Sequence, residues 1–272
     1  MAKLIALLTD FGNNDIYVGV MKAVMKSITP DAEFIDIAHT ITPQAVQEGA
    51  IALKNSFHYF PQGTVFLVVV DPGVGSARRP IIVEADGYCF IAPDNGILTY
   101  TLANMTHIHA YELANSDYQL TQISNTFHGR DIFAPAAAYA ARGDVKLQSF
   151  GAKIEQLQSL PQPKLIVREN VITGEVIHID HFGNIITSIT PLEWVDSEML
   201  LLADEKTILA QNTMIQIGKT SIQGISQAYH EVGIGDLLIQ VDSNGALEIA
   251  ANQGNAAKKL AIELGNKIEL RL

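Results

Sequence analysis

The chain has a single cysteine, Cys89, among its 272 residues. An intrachain disulfide and a zinc site built from several thiolates are therefore excluded. Basic residues are also scarce, because 18 Lys and Arg stand against 29 Asp and Glu and give a formal net charge of −11. This balance argues against a nucleic-acid backbone or an anionic membrane as the main partner, and it is compatible with a cationic small molecule.

Long apolar runs are missing as well. No stretch approaches the ~20 residues of a membrane-spanning helix. The first apolar run, in MAKLIALLTDFG, is interrupted by Asp10 and is too short for a secretory signal. Hydrophobic residues nevertheless make up 48% of the chain, which is enough for a substantial core. We therefore expect a soluble, cytoplasmic globular protein.

Several common catalytic motifs are absent. The sequence has no GxxxxGK phosphate loop, no GxSxG elbow, no HExxH and no CxxC. Gly73 and Gly75 lack the third glycine of the GxGxxG pattern, so a dinucleotide-binding fold is weakly supported.

The order of apolar segments predicts two domains. Over the first ~150 residues, strand-like runs alternate with helical patterns, which indicates a mostly parallel sheet between helices. Pro161 and Pro163 mark a linker, and short strand-like runs with turn signals follow it, which favours a small all-β barrel-like domain. We place the α/β domain at residues 1–160 and the β domain at 165–272, with one helix predicted at 256–264.

The most informative stretch is TVFLVVVDPGVGSARR, from Thr64 to Arg79. Its β-branched run predicts a strand buried on both faces, and the Pro-Gly pair after Asp71 predicts a tight turn. Ligands of open α/β sheets bind beyond the carboxyl ends of strands, where Asp71 is expected. Arg78 can fold back to meet it. The simpler alternative is a capping Asp with a surface salt bridge.

Further polar residues fall at similar places. Four carboxylates are predicted at or near strand ends: Asp10, Asp36, Asp71 and Asp94. Collected on one edge of a sheet they favour a cationic ligand there, although Asp is also a common cap. His128 is predicted on the loop that enters an Ala-rich helix, beside Arg130 and Asp131.

The motifs together resemble one enzyme family. The blocks LLTDFGNNDIYVGVMK, DIAHTITPQ, VVVDPGVGSARR, FIAPDNGILT, TFHGRDIFAPAAA, IDHFGNIITSI and SNGALEIAANQGNAA are similar to those of the S-adenosyl-L-methionine (SAM) hydroxide adenosyltransferases, which are relatives of the fluorinases and chlorinases. The resemblance implies hydrolysis of SAM to adenosine and L-methionine without a cofactor. It also implies a homotrimer with active sites between neighbouring subunits.

Roles are carried over position by position. The resemblance implies a water-activating triad of Asp71, Arg78 and His128, and a ribose-binding carboxylate at Asp10. The further substrate-binding residues that it implies are Phe127, Asp180, Phe182, Asn184, Ser243, Asn252 and Gln253. Among these, the backbone around Asn252 and Gln253 is expected near adenine, and Ser243 near the methionine carboxylate.

Two positions depart from the family pattern. Ser188 stands where many members carry Asn, and Asn244 stands where the halogenating relatives carry Arg. Recognition of the carboxylate by position 244 is therefore open.

Two other function classes remain alternatives. A metal-dependent phosphohydrolase would use Asp10, Asp36, His39, Asp71 and His128, since such side chains suit Mg²⁺ or Mn²⁺. A SAM- or adenosine-binding regulator without turnover is the second alternative.

Overall fold

The computed structural model describes residues 3–203, 206–217 and 219–272. The chain divides into two compact units, Met1–Leu160 and Pro161–Leu272. Among the helices of the described residues, none has the length and apolar character needed to cross a bilayer.

The N-terminal unit alternates strands and helices along its first half. Its elements are β1 Leu4–Thr9, α1 Tyr17–Ile28, β2 Glu33–Ala38, α2 Val46–Ser56, β3 Val65–Val69, β4 Pro80–Ala85, β5 Tyr88–Pro93, α3 Thr99–Leu102, β6 His109–Glu112, a π-helical turn Gly129–Phe133, α4 Ala134–Arg142 and β7 Lys153–Ile154. Short 3₁₀ turns at Phe57–Tyr59, Ser116–Tyr118 and Leu147–Ser149 complete it.

The strands form one mixed sheet in the order β2-β1-β3-β5-β4-β6-β7. The pairs β1–β2, β1–β3 and β3–β5 are parallel, whereas β4–β5, β4–β6 and β6–β7 are antiparallel. The prediction of a mostly parallel sheet is therefore correct only for the first half. The tight Asp86-Gly87 turn returns the chain directly, which makes β4 and β5 an antiparallel hairpin.

The parallel half is covered on both faces. Every residue of β1 and β3 is buried, as expected for strands between helical layers. Met21 and Met25 of α1 join α4 in the core on one face. On the other face, Gly49 lets α2 approach Val70 and Ile97 closely. A Cβ added at Gly49 would lie 3.1 Å from side-chain atoms of both residues.

The C-terminal unit is built almost entirely from strands. Its elements are β8 Ile166–Val167, β9 Val171–Ile179, β10 Ile185–Thr187, β11 Leu192–Trp194, β12 Met199–Leu202, β13 Lys206–Leu209, β14 Met214–Ile217, β15 Thr220–Gln223, β16 Leu237–Val241, β17 Leu247–Ala251, α5 Ala256–Leu260 and β18 Lys267–Arg271, with 3₁₀ turns at Ala210–Asn212 and Tyr229–Glu231. The predicted helix at 256–264 is shorter than expected, because Ala261 adopts a φ of 50°.

One antiparallel sheet of this unit nearly closes on itself. Its order is β15-β14-β18-β9-β10-β17-β16, and β8 pairs with β9 at its side. A bridge between Ser226 and Gln240 brings the segment after β15 to β16, at the opposite end of that order. Strands β11, β12 and β13 form a separate small sheet. The barrel-like expectation is thus met in its coarse form, around a core rich in Ile and Leu.

Candidate active site

The sheet topology selects the edge where a ligand is expected. From β1 the chain passes through α1 to β2 on one side, and then through α2 to β3 on the other side of β1. The point between β1 and β3 is therefore a topological switch point, and ligands of open α/β sheets bind beyond the carboxyl strand ends there. Thr9 pairs with Val69, so Asp10 and Asp71 follow these two neighbouring strand ends.

A compact turn after β3 returns Arg78 to Asp71. The N–H of Val74 donates to the Asp71 carbonyl, at 3.2 Å, and Ser76 donates to the Gly73 carbonyl through both its N–H and its hydroxyl. Gly75 has a φ of +75°, and a Cβ there would lie 2.3 Å from the Asn125 carbonyl oxygen. Glycine is required at this position by both the conformation and the close approach.

Arg78 links the two other members of the predicted triad. Its Nε lies 2.9 Å from each Asp71 carboxylate oxygen, and its Nη2 donates to Asp71 Oδ2 and, at 2.8 Å, contacts His128 Nδ1. The side chains of Arg78 and Asp71 are only 9% and 5% exposed. The structure therefore brings Asp71, Arg78 and His128 together, with the guanidinium between the carboxylate and the imidazole.

This geometry fixes the protonation of His128. A guanidinium has only donors, so His128 Nδ1 must accept and the neutral ring carries its proton on Nε2. Burial lowers the pKa of His128 below its usual 6.5, and the neighbouring Arg78 charge lowers it further, against opposing effects of Asp71 and Asp131. His128 is therefore neutral at pH 7 and presents an N–H donor.

The loop that carries His128 is held by a buried carboxylate. Asp131 is fully buried, pairs with Arg130 and accepts the Ser124 N–H at 2.8 Å. Burial raises the Asp131 pKa, but the Arg130 and Ser124 hydrogen bonds outweigh it, so its pKa is lowered overall. Arg130 and Asp131 thus support the loop in the structure.

Asp10 differs from the other acids near this edge. Its Oδ2 accepts the Gln44 N–H at 2.8 Å, and within the described residues no basic side chain pairs with it. Phe11, which follows Asp10 in sequence, forms an aromatic cluster with Tyr17 and Phe127, with ring centroids 5.0 to 5.9 Å apart. Phe127, a predicted substrate-binding residue, also lies beneath Arg130, 5.2 Å from the guanidinium carbon.

The predicted set of four carboxylates does not form one cluster. Asp36 lies within β2 and contacts Lys22 at 2.6 Å and His39 at 3.0 Å. Asp94 pairs with Arg79, and the two together hold the 156–158 segment. Only Asp10 and Asp71 follow the strand ends at the switch point. The sequence shows the four Asp residues but not that three of them pair with basic side chains while Asp10, among the described residues, does not.

In the C-terminal unit, three predicted residues share one turn. Asp180 Oδ1 accepts the backbone N–H groups of Phe182 and Asn184, at 2.9 and 2.8 Å, and Asp180 Oδ2 accepts from Asn184 Nδ2 at 2.9 Å. The Phe182 ring is left 72% exposed. Together with Tyr229, Ala251, Gln253 and Gly254, Phe182 and Asn184 line a cleft of about 380 Å³.

The remaining predicted residues lie on either side of β17. Ser243 and Asn244 lie in the exposed turn before this strand, whereas Asn252 and Gln253 follow it. Asn252 uses its N–H on Asp236 and its carbonyl on Gly235, so its N–H is not available to a ligand. Gln253, at a φ of 52°, is the better placed of the pair because it lines the cleft.

Ser188 has a structural role in this unit. Its buried hydroxyl accepts the Glu175 N–H at 2.9 Å and donates to the Lys164 carbonyl at 2.5 Å.

Sequence reasoning missed a polar network beside the cleft. Asn184 Nδ2 lies 3.3 Å from the Tyr229 hydroxyl, which donates to Glu248 Oε1, and Gln240 donates to the same oxygen. Burial raises the pKa of Tyr229 to about 12 and also raises the Glu248 pKa. The available signal was Glu248 itself, a charged residue inside the apolar run ALEIAA.

The arrangement does not favour the metal-dependent alternative. Among residues 3–203, 206–217 and 219–272, no three His, Cys, Asp or Glu side chains are grouped to hold a metal ion. The carboxylates proposed for that purpose are instead paired with Arg78 or Lys22, or, for Asp10, with a backbone N–H.

Comparison with known proteins covers nearly all of the chain. The family model described as SAM hydroxide adenosyltransferase N-terminal domain matches residues 5–151, and the corresponding C-terminal domain model matches 174–269. An (R)-S-adenosyl-L-methionine hydrolase from Salinispora tropica is 34% identical over 98% of this chain and 97% of its own length. A fluorinase from Actinopolyspora mzabensis is 27% identical over 98% of this chain and 96% of its own.

A solved structure has the same fold. The crystal structure of an uncharacterized conserved protein from Thermotoga maritima superposes with a TM-score of 0.85 at 35% identity, covering 98% of this chain and all of that one. With both domain models matched in order and a relative above 30% identity along its length, the chain belongs to the SAM hydroxide adenosyltransferase family.

Proposed function

We propose that this protein hydrolyses S-adenosyl-L-methionine to adenosine and L-methionine by in-line attack of water on the ribose C5′. The observation that carries the proposal is the buried guanidinium of Arg78, held between the Asp71 carboxylate and His128 Nδ1 at the switch point of the sheet. Family membership supplies the substrate.

The substrate chemistry suits a site without a leaving-group acid. The sulfur of SAM is a sulfonium, so the C5′–S bond breaks with its electron pair going to sulfur and a neutral thioether departs. The site must position and activate a nucleophile, and positioning can contribute up to ~7–11 kcal/mol in ideal cases. Water is a very weak acid and a poor nucleophile at neutral pH, so it needs that activation.

The three residues divide this task. The Asp71 carboxylate accepts a hydrogen bond from the attacking water, and the water proton leaves towards it as the O–C5′ bond forms. The fixed positive charge of Arg78 favours hydroxide character on that oxygen. His128 has its Nδ1 occupied by Arg78, so it contributes its Nε2–H as a donor that orients the nucleophile. Asp71 and His128 act on the water separately, because Arg78 lies between them.

The other residues recognise the substrate. Asp10, free of a basic partner within the described residues, accepts the two ribose hydroxyls, and Phe127 contributes to the wall beside it. Asp180, Phe182, Asn184 and Gln253 contact the adenine and methionine parts, and Ser243 lies near the methionine carboxylate.

The assembly we propose is a homotrimer. In it the N-terminal unit of one subunit and the C-terminal unit of its neighbour form each site. The resemblance to the family supports this arrangement, together with the presence of candidate residues on both units.

The direct test is incubation of the purified protein with SAM, followed by chromatography of the products. Equimolar adenosine and L-methionine are expected, and we propose that excess EDTA leaves the rate unchanged because no cofactor takes part. Tight SAM binding without products would support the regulator instead. Loss of activity in EDTA that Mg²⁺ or Mn²⁺ restores would support the metal-dependent alternative.

A further inference from the structure

The side-chain amide of Asn184 is oriented by two carboxylates. The first acts directly, because Asn184 Nδ2 lies 2.9 Å from Asp180 Oδ2. A carboxylate accepts hydrogen bonds, so the nitrogen and not the oxygen of the amide must face it.

The second carboxylate acts through Tyr229. The Tyr229 hydroxyl has one proton, and it donates that proton to Glu248 Oε1 at 2.9 Å. Its oxygen is then left to accept from Asn184 Nδ2, at 3.3 Å. Glu248 is only 5% exposed, and its Oε1 also accepts from Gln240 Nε2 at 2.5 Å. The buried Glu248 carboxylate therefore fixes the direction of both hydrogen bonds, from Tyr229 to Glu248 and from Asn184 to Tyr229.

One polar atom of the network is left for a ligand. Both amide hydrogens of Asn184 are used, and its Oδ1 accepts no hydrogen bond from the residues that the structure describes. Asn184 and Tyr229 both line the cleft of about 380 Å³. The cleft therefore offers a fixed acceptor, which a ligand with a matching donor satisfies.

We infer that Asp180 and the Tyr229–Glu248 pair are positioning residues that hold Asn184 as an acceptor and thereby make the cleft select a 6-aminopurine over a 6-oxopurine. The inference rests on the proposed function, which supplies a purine nucleoside as the ligand. A 6-amino group donates to Asn184 Oδ1, whereas a 6-oxo group places a second acceptor against it. Discrimination of this kind comes from the unpaired polar group that the wrong ligand leaves behind.

The test measures binding of adenosine and inosine to the full-length protein by calorimetry. We expect the wild type to bind adenosine at least about tenfold more tightly, the equivalent of one well-formed hydrogen bond. Tyr229→Phe keeps the ring and removes the hydroxyl, and it should lower the ratio of adenosine affinity to inosine affinity about threefold or more. Asp180→Asn presents a donor to Asn184 and should lower this ratio further.

The double variant gives the sharpest result. With Asp180→Asn and Tyr229→Phe combined, the Asn184 amide can turn over, and the preference should move to inosine. The fold change in the affinity ratio should exceed the product of the two single-variant changes, because in each single variant the remaining residue still opposes rotation of the Asn184 amide. Thr187→Val is the matched control. It removes a buried hydroxyl that donates to the Leu247 carbonyl in the same sheet, and the ratio should stay at the wild-type value.

The outcomes separate this inference from the proposed function. A wild type that hydrolyses SAM but binds the two nucleosides equally, or not at all, overturns the inference and leaves the function standing. A tenfold adenosine preference that Tyr229→Phe lowers supports the inference even without SAM turnover. An unchanged ratio in Tyr229→Phe, with a thermal midpoint near that of the wild type, overturns it whether or not the double variant folds.

Discussion

Nδ1 of His128 lies 2.8 Å from a guanidinium nitrogen of Arg78. The imidazole can therefore keep this position only while Nδ1 is unprotonated. Protonation of His128 would turn the acceptor into a donor beside a permanent cation. The pKa of His128 is lowered from 6.5, first by burial and then by Arg78.

The first prediction is an acid limb in the pH–rate profile. The active form is neutral, so the rate should be independent of this group at pH 7 and above and should fall only below pH 6.5. The free energy of unfolding should also fall as the pH drops below 6.5. His128 takes up a proton near pH 6.5 in the unfolded chain, but only at lower pH in the folded chain. Initial rates and urea midpoints between pH 5 and 8 measure both effects.

His128→Asn separates His128 from other titrating groups. The Asn side-chain oxygen can replace Nδ1 as the acceptor for Arg78 but does not titrate. The acid limb should disappear while the plateau rate drops because the Nε2–H donor is lost. An acid limb that persists unchanged would assign it to another residue.

The second prediction concerns the Asp71 carboxylate. Asp71→Asn keeps the shape but weakens acceptance of the water proton, so kcat should fall about 10²–10⁴-fold with little change in KM. Asp94→Asn is the matched control, because it breaks a similar Asp–Arg pair away from the switch point and should lower stability more than rate. A comparable loss of kcat in both variants would contradict the role of Asp71.

The identity of the nucleophile is the third prediction. A halide beside the Asp71 carboxylate would place two anions together, which is unfavourable by several kcal/mol at ~4 Å and an effective dielectric of ~20. Water suffers no such penalty. In ¹⁸O-water the label should enter the adenosine 5′ oxygen and not methionine, and chloride or fluoride should give negligible 5′-halo product. Mass spectrometry of the products decides between these outcomes.

Gly75 supports a fourth prediction about stability. Gly75→Ala places a Cβ 2.3 Å from the Asn125 carbonyl oxygen at a φ of +75°, so the backbone must move. Gly143→Ala is the control, since Gly143 has a φ of +77° with open space around it. We expect about 1–2 kcal/mol lost in the control and a clearly larger loss at position 75. Equal losses in urea unfolding would show that the contact with Asn125 is unimportant.

A fifth prediction tests the shared site of the proposed trimer. Asp71→Asn and Asp180→Ala subunits, each inactive alone, should regain part of the activity when refolded together. Mixed trimers that are verified by mass spectrometry and remain inactive would argue against a site shared between subunits.

Some of this could be predicted from single segments of sequence. The uninterrupted run from Val65 to Val70 identified a strand covered on both faces, and the Pro-Gly turn after it allowed Arg78 to return to Asp71. Both features are local, since seven residues separate the partners. The all-β character of the second half followed from its short apolar runs and turn residues in the same way.

Features that depend on distant residues could not be predicted. Arg78 and Arg79 are adjacent in sequence but take different partners, Asp71 and Asp94, and only the sheet geometry decides between them. The antiparallel half of the first sheet departs from the predicted parallel pattern, because the alternation of strands and helices stops after β3. The network of Glu248 could not be predicted, because the residues that satisfy its carboxylate, Tyr229 and Gln240, belong to other segments.

The close approach of Gly75 to Asn125 has a consequence for how the enzyme gains its activity during folding. The Asp71–Arg78 pair can form within one turn, but His128 lies 50 residues beyond Arg78 in the chain. The loops that carry Gly75 and Asn125 meet only after the strands and helices between them have folded. This closure of a long loop costs chain entropy before the contacts that offset it can form. A chain with correct local structure alone therefore has the carboxylate and the guanidinium but no imidazole, and recovery of hydrolysis would report completion of the native topology.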